Sequence, residues 1–271
     1  MKKLGSGLLT LITYGVALLF FFPILWIFVT GFKSENEAVK IPPTINFSPT
    51  LENFLDVWNS GMGGFLANSI IVTVVSTLIA LLLGAPAAYA LAVYKVKRKD
   101  DILFWIISTR FLPVAGIIIP LYLMFKTVNL LDSLPALILL YAAMNVSIII
   151  WMMRSFFSDL SYEIIEAAEI DGASGLQSFF QVVLPLVRPG LVSTALLAMV
   201  FAWNEFFFAV SLSYTDAPTL PVFMASFMTQ EGLFWAKMSA AASLAIIPVI
   251  ILGWFTQRQL VRGLTMGAVK G

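Results

Sequence analysis

The side chains able to do chemistry fall in two places. One is an acidic run of Glu163, Glu166, Glu169 and Asp171, set among Ile and Ala and closed by Gly172. The other is a scatter of polar groups inside apolar segments: Arg110, Asn204 and Glu205, with Asn68, Ser69 and Asn145 as weaker candidates. Neither set makes an enzyme. With no histidine and no cysteine, a Ser-His-Asp or Cys-His nucleophile, a Cys/His zinc site and a histidine proton relay are all excluded. No two aspartates lie in apolar segments, so an intramembrane aspartate dyad has no basis either. No Gly-x-x-x-x-Gly-Lys-Ser/Thr run occurs, so the chain has no phosphate-binding loop of its own. Any work it does at the expense of ATP needs a separate ATPase.

The chain has 271 residues, 60% of them hydrophobic and 11% charged, with a mean hydropathy of +0.94. Average soluble domains are about 45–50% apolar and about 25% charged, so the first expectation is a membrane protein. A net charge of +1 lacks the basic excess of a nucleic-acid binder. Six apolar segments emerge, at about 8–31, 65–94, 102–125, 134–153, 189–212 and 239–255, each able to cross ~30 Å of hydrocarbon. The first is too long for a signal-peptide core and is followed by no Ala-x-Ala site, so it is expected to stay as a span. The expected fold is all-α: one polytopic membrane domain over 1–271, six transmembrane helices, both termini cytoplasmic.

Lysine and arginine set that orientation. The inner segments then hold Lys2, Lys3, Lys95, Lys97, Arg98, Lys99, Arg154, Arg188, Arg258, Arg262 and Lys270, whereas the outer ones hold Lys33, Lys40, Lys126 and Lys237. Only Arg110 lies within a span. The outer loop 32–64 is rich in Pro and Gly, with a short helix expected around 52–59; it reads either as a connector or as a docking surface. Gly84, Pro86, Pro113 and Pro120 interrupt the second and third spans. Such breakers occur both in transport pathways and in ordinary bundle packing.

The segment 158–188 is too polar to span. Ser161 is a suitable N-cap, Glu163 falls where the helix dipole favours an acid, and Gly172 is a suitable stop. Ser174 can cap a second helix with Leu176, Phe179, Phe180 and Val183 on one face, and Pro185 and Pro189 lead into the fifth span. The spacing predicts two short helices with a tight bend at the cytoplasmic surface. Glutamates three residues apart repel, so this ridge suits a basic partner, although a plain solvated helix has the same composition.

The run Glu166-Ala167-Ala168-x-x-Asp171-Gly172-Ala173, then Phe179, Leu184-Pro185-Leu186 and Pro189, resembles the EAA motif of permease subunits of bacterial binding-protein-dependent ABC importers. The tail 256–271, with Gln257-Arg258, Leu260-Val261-Arg262-Gly263-Leu264, Gly267 and Lys270, resembles that of the maltose-permease branch. The resemblance covers essentially the whole chain and implies the type I ABC importer permease fold in the bacterial cytoplasmic membrane. It implies that Glu166, Ala167, Ala168, Asp171, Gly172, Ala173, Leu184 and Pro185 form a coupling helix seated on an ATPase subunit. Arg258, Arg262, Gly267 and Lys270 of the tail would reach the same ATPase. The implied partners are a second, different permease, two ATPase subunits that use ATP and Mg, and an extracytoplasmic solute-binding protein. No cofactor is expected on this chain itself.

For the solute path the candidates are Arg110, Trp203, Asn204, Glu205, Phe207, Asn68 and Asn145. An ionisable group in the bilayer costs about 2.5–3.5 kcal/mol on insertion scales, so Arg110 and Glu205 either line a watery path or pair with each other. The aromatics Trp203, Phe206, Phe207, Phe208 and Tyr214 could stack on sugar rings or form an interfacial belt. Residues 203–208, 220–228 and 232–238 resemble sugar-alcohol permeases, which implies a carbohydrate-type solute. The rival expectation is a stand-alone secondary transporter or channel, which would leave the 158–188 segment without a purpose.

Overall fold

A computed structural model describes residues 2–229 and 232–265. In chain order the helices are α1 (Lys2–Thr30), α2 (Glu35–Ala38), α3 (Glu52–Val57), α4 (Gly63–Val93), α5 (Lys99–Ser108), α6 (Val114–Thr127), α7 (Leu134–Ser158), α8 (Tyr162–Ile170), α9 (Gly175–Gln177), α10 (Leu184–Leu186), α11 (Arg188–Trp203), α12 (Phe207–Leu212), α13 (Leu220–Ala225) and α14 (Trp235–Thr265). Short π-helical turns join α3 to α4 and α9 to α10, and a 3₁₀ turn, Thr109–Phe111, follows α5. The all-α expectation has one small exception. Between α13 and α14, Met228–Thr229 (β1) pairs antiparallel with Gly232–Leu233 (β2).

Four helical stretches are long and apolar enough to cross a membrane: Leu9–Thr30, Glu52–Val93, Leu134–Ser158 and Trp235–Gln257. Two bent pairs, α5–α6 with its 3₁₀ turn and the elbow helices with α11, raise the number to six if each counts as one span. The third span is therefore not the straight helix expected over 102–125. It turns through 91° at Leu112-Pro113, because the residue before a proline is pushed out of the helical region; Leu112 has ψ 128°. Pro86 and Pro120, by contrast, sit inside continuous helices. The fifth span also departs from expectation: α11 stops at Trp203, and Asn204–Phe206 separate it from α12.

The chain forms two compact units. The first comprises Met1–Leu66 and Val222–Pro248. In it, the outer loop is a folded element rather than a slack connector. Lys33 is 2% exposed, its Nζ donating to the Thr44 carbonyl at 2.7 Å while it lies 4.3 Å from the Trp26 ring centre and 5.1 Å from that of Phe47. Aromatic faces attract an ammonium and offset its desolvation. The buried Asn53 amide donates to the Gly31 and Lys33 carbonyls. Glu35 accepts from the first backbone N–H groups of α14, Ala236 and Lys237, where the helix dipole favours an anion. Lys237 in turn pairs with Asp56 at 2.9 Å.

The second unit comprises Ala67–Pro221 and Val249–Gly271. Its core joins α4, α7 and α11 through Ala80, Ala88, Ile149, Met153 and Ala198, with Val183 of the π-helical turn before α10, all but inaccessible. Small residues let these helices approach closely, as is usual in membrane bundles. The tightest approach is at Gly190, where an added Cβ would lie 2.4 Å from Cγ of Phe156.

Candidate functional site

The segment 158–188 folds as the two short helices expected. Ser161 stands at the N-cap of α8 but makes no side-chain capping bond. The other end is closed by backbone geometry: Gly172 adopts φ +81°, Ala173 N–H donates to Ala168 O at 2.9 Å and Gly172 N–H to Glu169 O at 3.0 Å. This paired 6→1 and 5→2 pattern needs a left-handed residue, which glycine supplies without steric cost. Ser174 then opens α9 with a complete capping box, its Oγ accepting from Gln177 N–H while Gln177 Oε1 accepts from Ser174 N–H.

One side of this elbow is rooted in the membrane helices. Phe179 is buried against Tyr89 of α4 and Phe157 of α7, with ring centres 5.1 Å and 6.1 Å away. Gly175 approaches the end of α4 so closely that a Cβ would lie 2.9 Å from the Tyr94 hydroxyl. The apolar face expected of Leu176, Phe179, Phe180 and Val183 is in fact split. Phe179 and Val183 are buried, whereas Leu176 and Phe180 are exposed; from Ser178 to Val183 the chain is π-helical, which breaks the α-helical spacing of the expected face.

The other side is open. Glu163, Glu166, Ala167, Glu169 and Asp171 are exposed, Ile165 and Ala168 face inward, and Ile170 is 86% exposed. No cation of the described residues pairs with these acids. The result is an acidic ridge edged by bare apolar side chains, on a base bolted to α4 and α7. Leu184 and Pro185 form α10, beneath which Val183 and Val187 are buried. Arg258 and Arg262 fall on the last turns of α14; Gly267 and Lys270 lie outside the described residues.

Among the polar residues of the spans, the structure separates those with local duties from those without. Arg110 and Glu205 do not pair. The Glu205 carboxylate accepts the Tyr141 hydroxyl at 2.6 Å and the Phe208 and Ala209 backbone N–H groups at 3.0 and 3.2 Å. It caps α12 and ties the broken fifth helix to α7. Asn145, buried, donates to Ala198 O and joins α7 to α11. Asn68 donates to Asp216 O and Pro218 O, and Ser69 accepts Leu220 N–H. Asn204 is exposed and donates back to Val200 O of its own helix; Trp203 and Phe207 are half-buried beside it.

Arg110 differs. Its Nη1 donates to Met144 O at 3.0 Å, and its guanidinium lies 5.0 Å from the Phe201 ring centre. It lines a cavity of about 430 Å³ in the angle of α5 and α6, walled by Trp105, Thr109, Ile117, Met144, Ser147 and Phe208.

Three residues with structural weight had no signal in the sequence. Tyr141 is one apolar-segment tyrosine among several, Gly190 one glycine among many, and Asp132 an ordinary loop acid. Asp132 nevertheless accepts hydrogen bonds from the backbone N–H groups of Tyr214, Thr215, Asp216 and Ala217 at 2.8–3.2 Å. Burial pushes its carboxyl pKa up, but those four donors outweigh it and hold the group below the ordinary carboxylate value.

Residues 80–265 match the family described as the binding-protein-dependent transport system inner membrane component. The chain is 36% identical to the sulfoquinovosyl glycerol transport system permease SmoH of Agrobacterium fabrum, over 92% of this chain and 89% of that one. It is 35% identical to the trehalose transport system permease SugB of Mycobacterium tuberculosis, over 98% and 97%. In three dimensions it is similar to a chain of a bacterial ABC transporter involved in the import of the acidic polysaccharide alginate, with a TM-score of 0.74, 25% identity, and 95% and 97% of the two chains covered. A polytopic helical bundle that carries an exposed acidic elbow and matches this family over most of its length belongs to it: the chain is an inner-membrane permease subunit of a binding-protein-dependent ABC importer, a transport component rather than an enzyme.

Proposed function

We propose that this permease moves a carbohydrate-type solute into the cytoplasm by alternating access, and that the elbow of residues 158–188 receives the force. The observation that carries the coupling role is the two-sidedness of that elbow. Its open side offers Glu163, Glu166 and Glu169 without counter-ions among the described residues, beside exposed Ile170, Leu176 and Phe180. Its closed side is anchored by Phe179 between Tyr89 and Phe157. A push on the ridge is therefore delivered to α4 and α7 through packed rings rather than absorbed in a loop.

The complementary surface is a cleft with a basic side chain and an apolar floor on an ATPase subunit. Glu166 makes the charge-assisted contact, exposed Ala167 permits close approach, and the left-handed turn at Gly172 keeps α8 and α9 at a fixed angle. The assembly is this chain, a second and different permease, two ATPase subunits and one external solute-binding protein. ATP and Mg are used by the ATPase subunits; the tail carrying Arg258, Arg262, Gly267 and Lys270 adds a second contact with them. Closure of the ATPase dimer draws the two elbows together and rocks the bundle between inward- and outward-facing states. The elbow, both termini and the 95–99 turn face the cytoplasm, in keeping with the charge bias.

The solute class rests on the relatives, whose names give a sulfonated glycoside, a disaccharide and an acidic polysaccharide. In a membrane vesicle assay of the whole importer, Glu166→Lys and Gly172→Pro should abolish ATP-driven sugar uptake while the protein still reaches the membrane. Wild-type uptake by either variant would refute the coupling role.

A further inference from the structure

An arginine within a membrane span needs an anion, and among the described residues this one, itself exposed, has none. Glu205, the carboxylate best placed in the sequence to serve, is fully engaged by Tyr141, Phe208 and Ala209. Of the five N–H donors of a guanidinium, one at Nη1 meets the Met144 carbonyl, and among the described residues no carboxylate pairs with Arg110. The residue stands just beyond the ten residues of α5, in the 3₁₀ turn before the break at Leu112-Pro113.

The surroundings are those of a pathway. The third span is broken beside Arg110 at Leu112-Pro113, and irregular backbone at membrane depth persists only where protein buries it or a watery cavity bathes it. A cavity of about 430 Å³ lies there, within the range of small-molecule sites. Its wall has one cation, the Trp105 ring, 69% exposed, and the hydroxyls of Thr109 and Ser147. Both hydroxyls donate to their own helices, leaving acceptor lone pairs for sugar hydroxyl groups.

We propose that the transported carbohydrate carries an anionic group, a carboxylate or a sulfonate, and that Arg110 is its counter-ion in the cavity between α5, α6 and α7. This rests on the carbohydrate-import reading and adds the charge of the solute to it. The guanidinium presents a planar fork that matches both oxyanions. The Phe201 ring 5.0 Å away holds the cation when the cavity is empty, through an attraction weak enough to yield to an anion.

The experiment uses the complete importer with its own binding protein, reconstituted in neutral phosphatidylcholine vesicles. The probes are charge-matched pairs: glucuronate against glucose, galacturonate against galactose, and 6-deoxy-6-sulfoglucose against glucose. Wild-type importer should carry at least one acidic member in preference to its neutral counterpart. R110Q should cut transport of that acidic sugar about tenfold or more, the loss of one charge-assisted hydrogen bond, and R110K, which keeps the charge but not the planar fork, should fall between R110Q and wild type. The binding protein is common to every arm, so the ratio of variant to wild type isolates the permease.

Equal transport of an acidic sugar by R110Q and wild type overturns the proposal. So does an importer that carries only neutral sugars, in which case carbohydrate import itself still stands. Failure of every sugar, acidic or neutral, removes the carbohydrate reading and this inference with it. An R110Q defect that appears only when phosphatidylglycerol is added assigns Arg110 to a lipid headgroup instead. Loss of the second permease from purified R110Q but not R110K complexes assigns it to a partner's carboxylate. Either of those last two results also overturns the proposal.

Discussion

Two sharp bends in this chain are built in opposite ways. One joins α8 to α9 at Gly172, and the other joins α5 to α6 through 91°. The first is held within the chain by a left-handed glycine at 172, a capping box at Ser174 and an aromatic root at Phe179. Its acidic outer surface has no cationic partner among the described residues. At the second, a proline ends the helix without a glycine or a side-chain cap, and Arg110 is left facing a cavity. On the proposed reading the first bend is a lever with a docking surface; the second is a wall of a cavity. What the contrast teaches is that a turn whose backbone is closed by glycine and a capping box can present its charged groups outward, whereas a proline break leaves its polar group facing the space the break opens.

The largest effect expected is at the root of the lever. Phe179→Ala removes the ring packed on Tyr89 and Phe157, a core truncation worth about 3 kcal/mol or more. It should lower the melting temperature of the purified complex and let ATP hydrolysis proceed without solute movement. Tight coupling in this variant would show that the rings are filler rather than linkage.

Next is Glu205→Ala. It strands the Tyr141 hydroxyl and the Phe208 and Ala209 N–H groups, a loss of about 2–3 kcal/mol. Thermal unfolding in detergent measures it, and Glu205→Gln should recover part. If Glu205→Ala is as stable as wild type, Glu205 is not the cap of α12, and its availability to Arg110 would have to be reconsidered.

Gly172→Ala should cost about 1–2 kcal/mol, the penalty for a side chain at positive φ, with the corresponding loss of stability confined to the turn between α8 and α9. Hydrogen exchange of the Gly172 and Ala173 amides should report it. Unchanged protection there would mean that the lever does not depend on its left-handed turn.

The smallest effect is at Asp132, away from both bends. Folding lowers its pKa, so its contribution is complete above the ordinary carboxylate range and is lost as the pH falls through that range to the lower folded value. Proteolysis of the 213–219 loop should therefore rise in acid in the wild type. Asp132→Asn should show the raised rate at neutral pH and little further change; an unaltered acid slope would place the titration elsewhere.

The lever could be read from sequence because its instructions are local. Ser174 and Gln177 are three residues apart, Gly172 follows the last helical turn, and the charges are on one short run. Helix caps and left-handed turns act within a few residues, so their signals sit side by side in the chain. The spans were legible for a similar reason, since length and hydropathy are properties of a segment. The break at Leu112-Pro113 was visible only as a proline, and Pro86 and Pro120 carry the same symbol without breaking their helices. Neighbouring helices decide whether the freed carbonyl is satisfied.

The amino-acid sequence by itself therefore determined that this is an apolar helical bundle with an acidic, glycine-turned elbow, because hydropathy and capping are short-range. Only the tertiary structure decided who partners whom. Glu205 goes to Tyr141, 64 residues away, and not to Arg110; Asn145 and Asn68 hold backbone carbonyls; Lys33 is boxed by aromatic rings. Those choices depend on distances between helices that the chain order does not encode, and they are what leave one guanidinium at an open cavity without a counter-charge of its own.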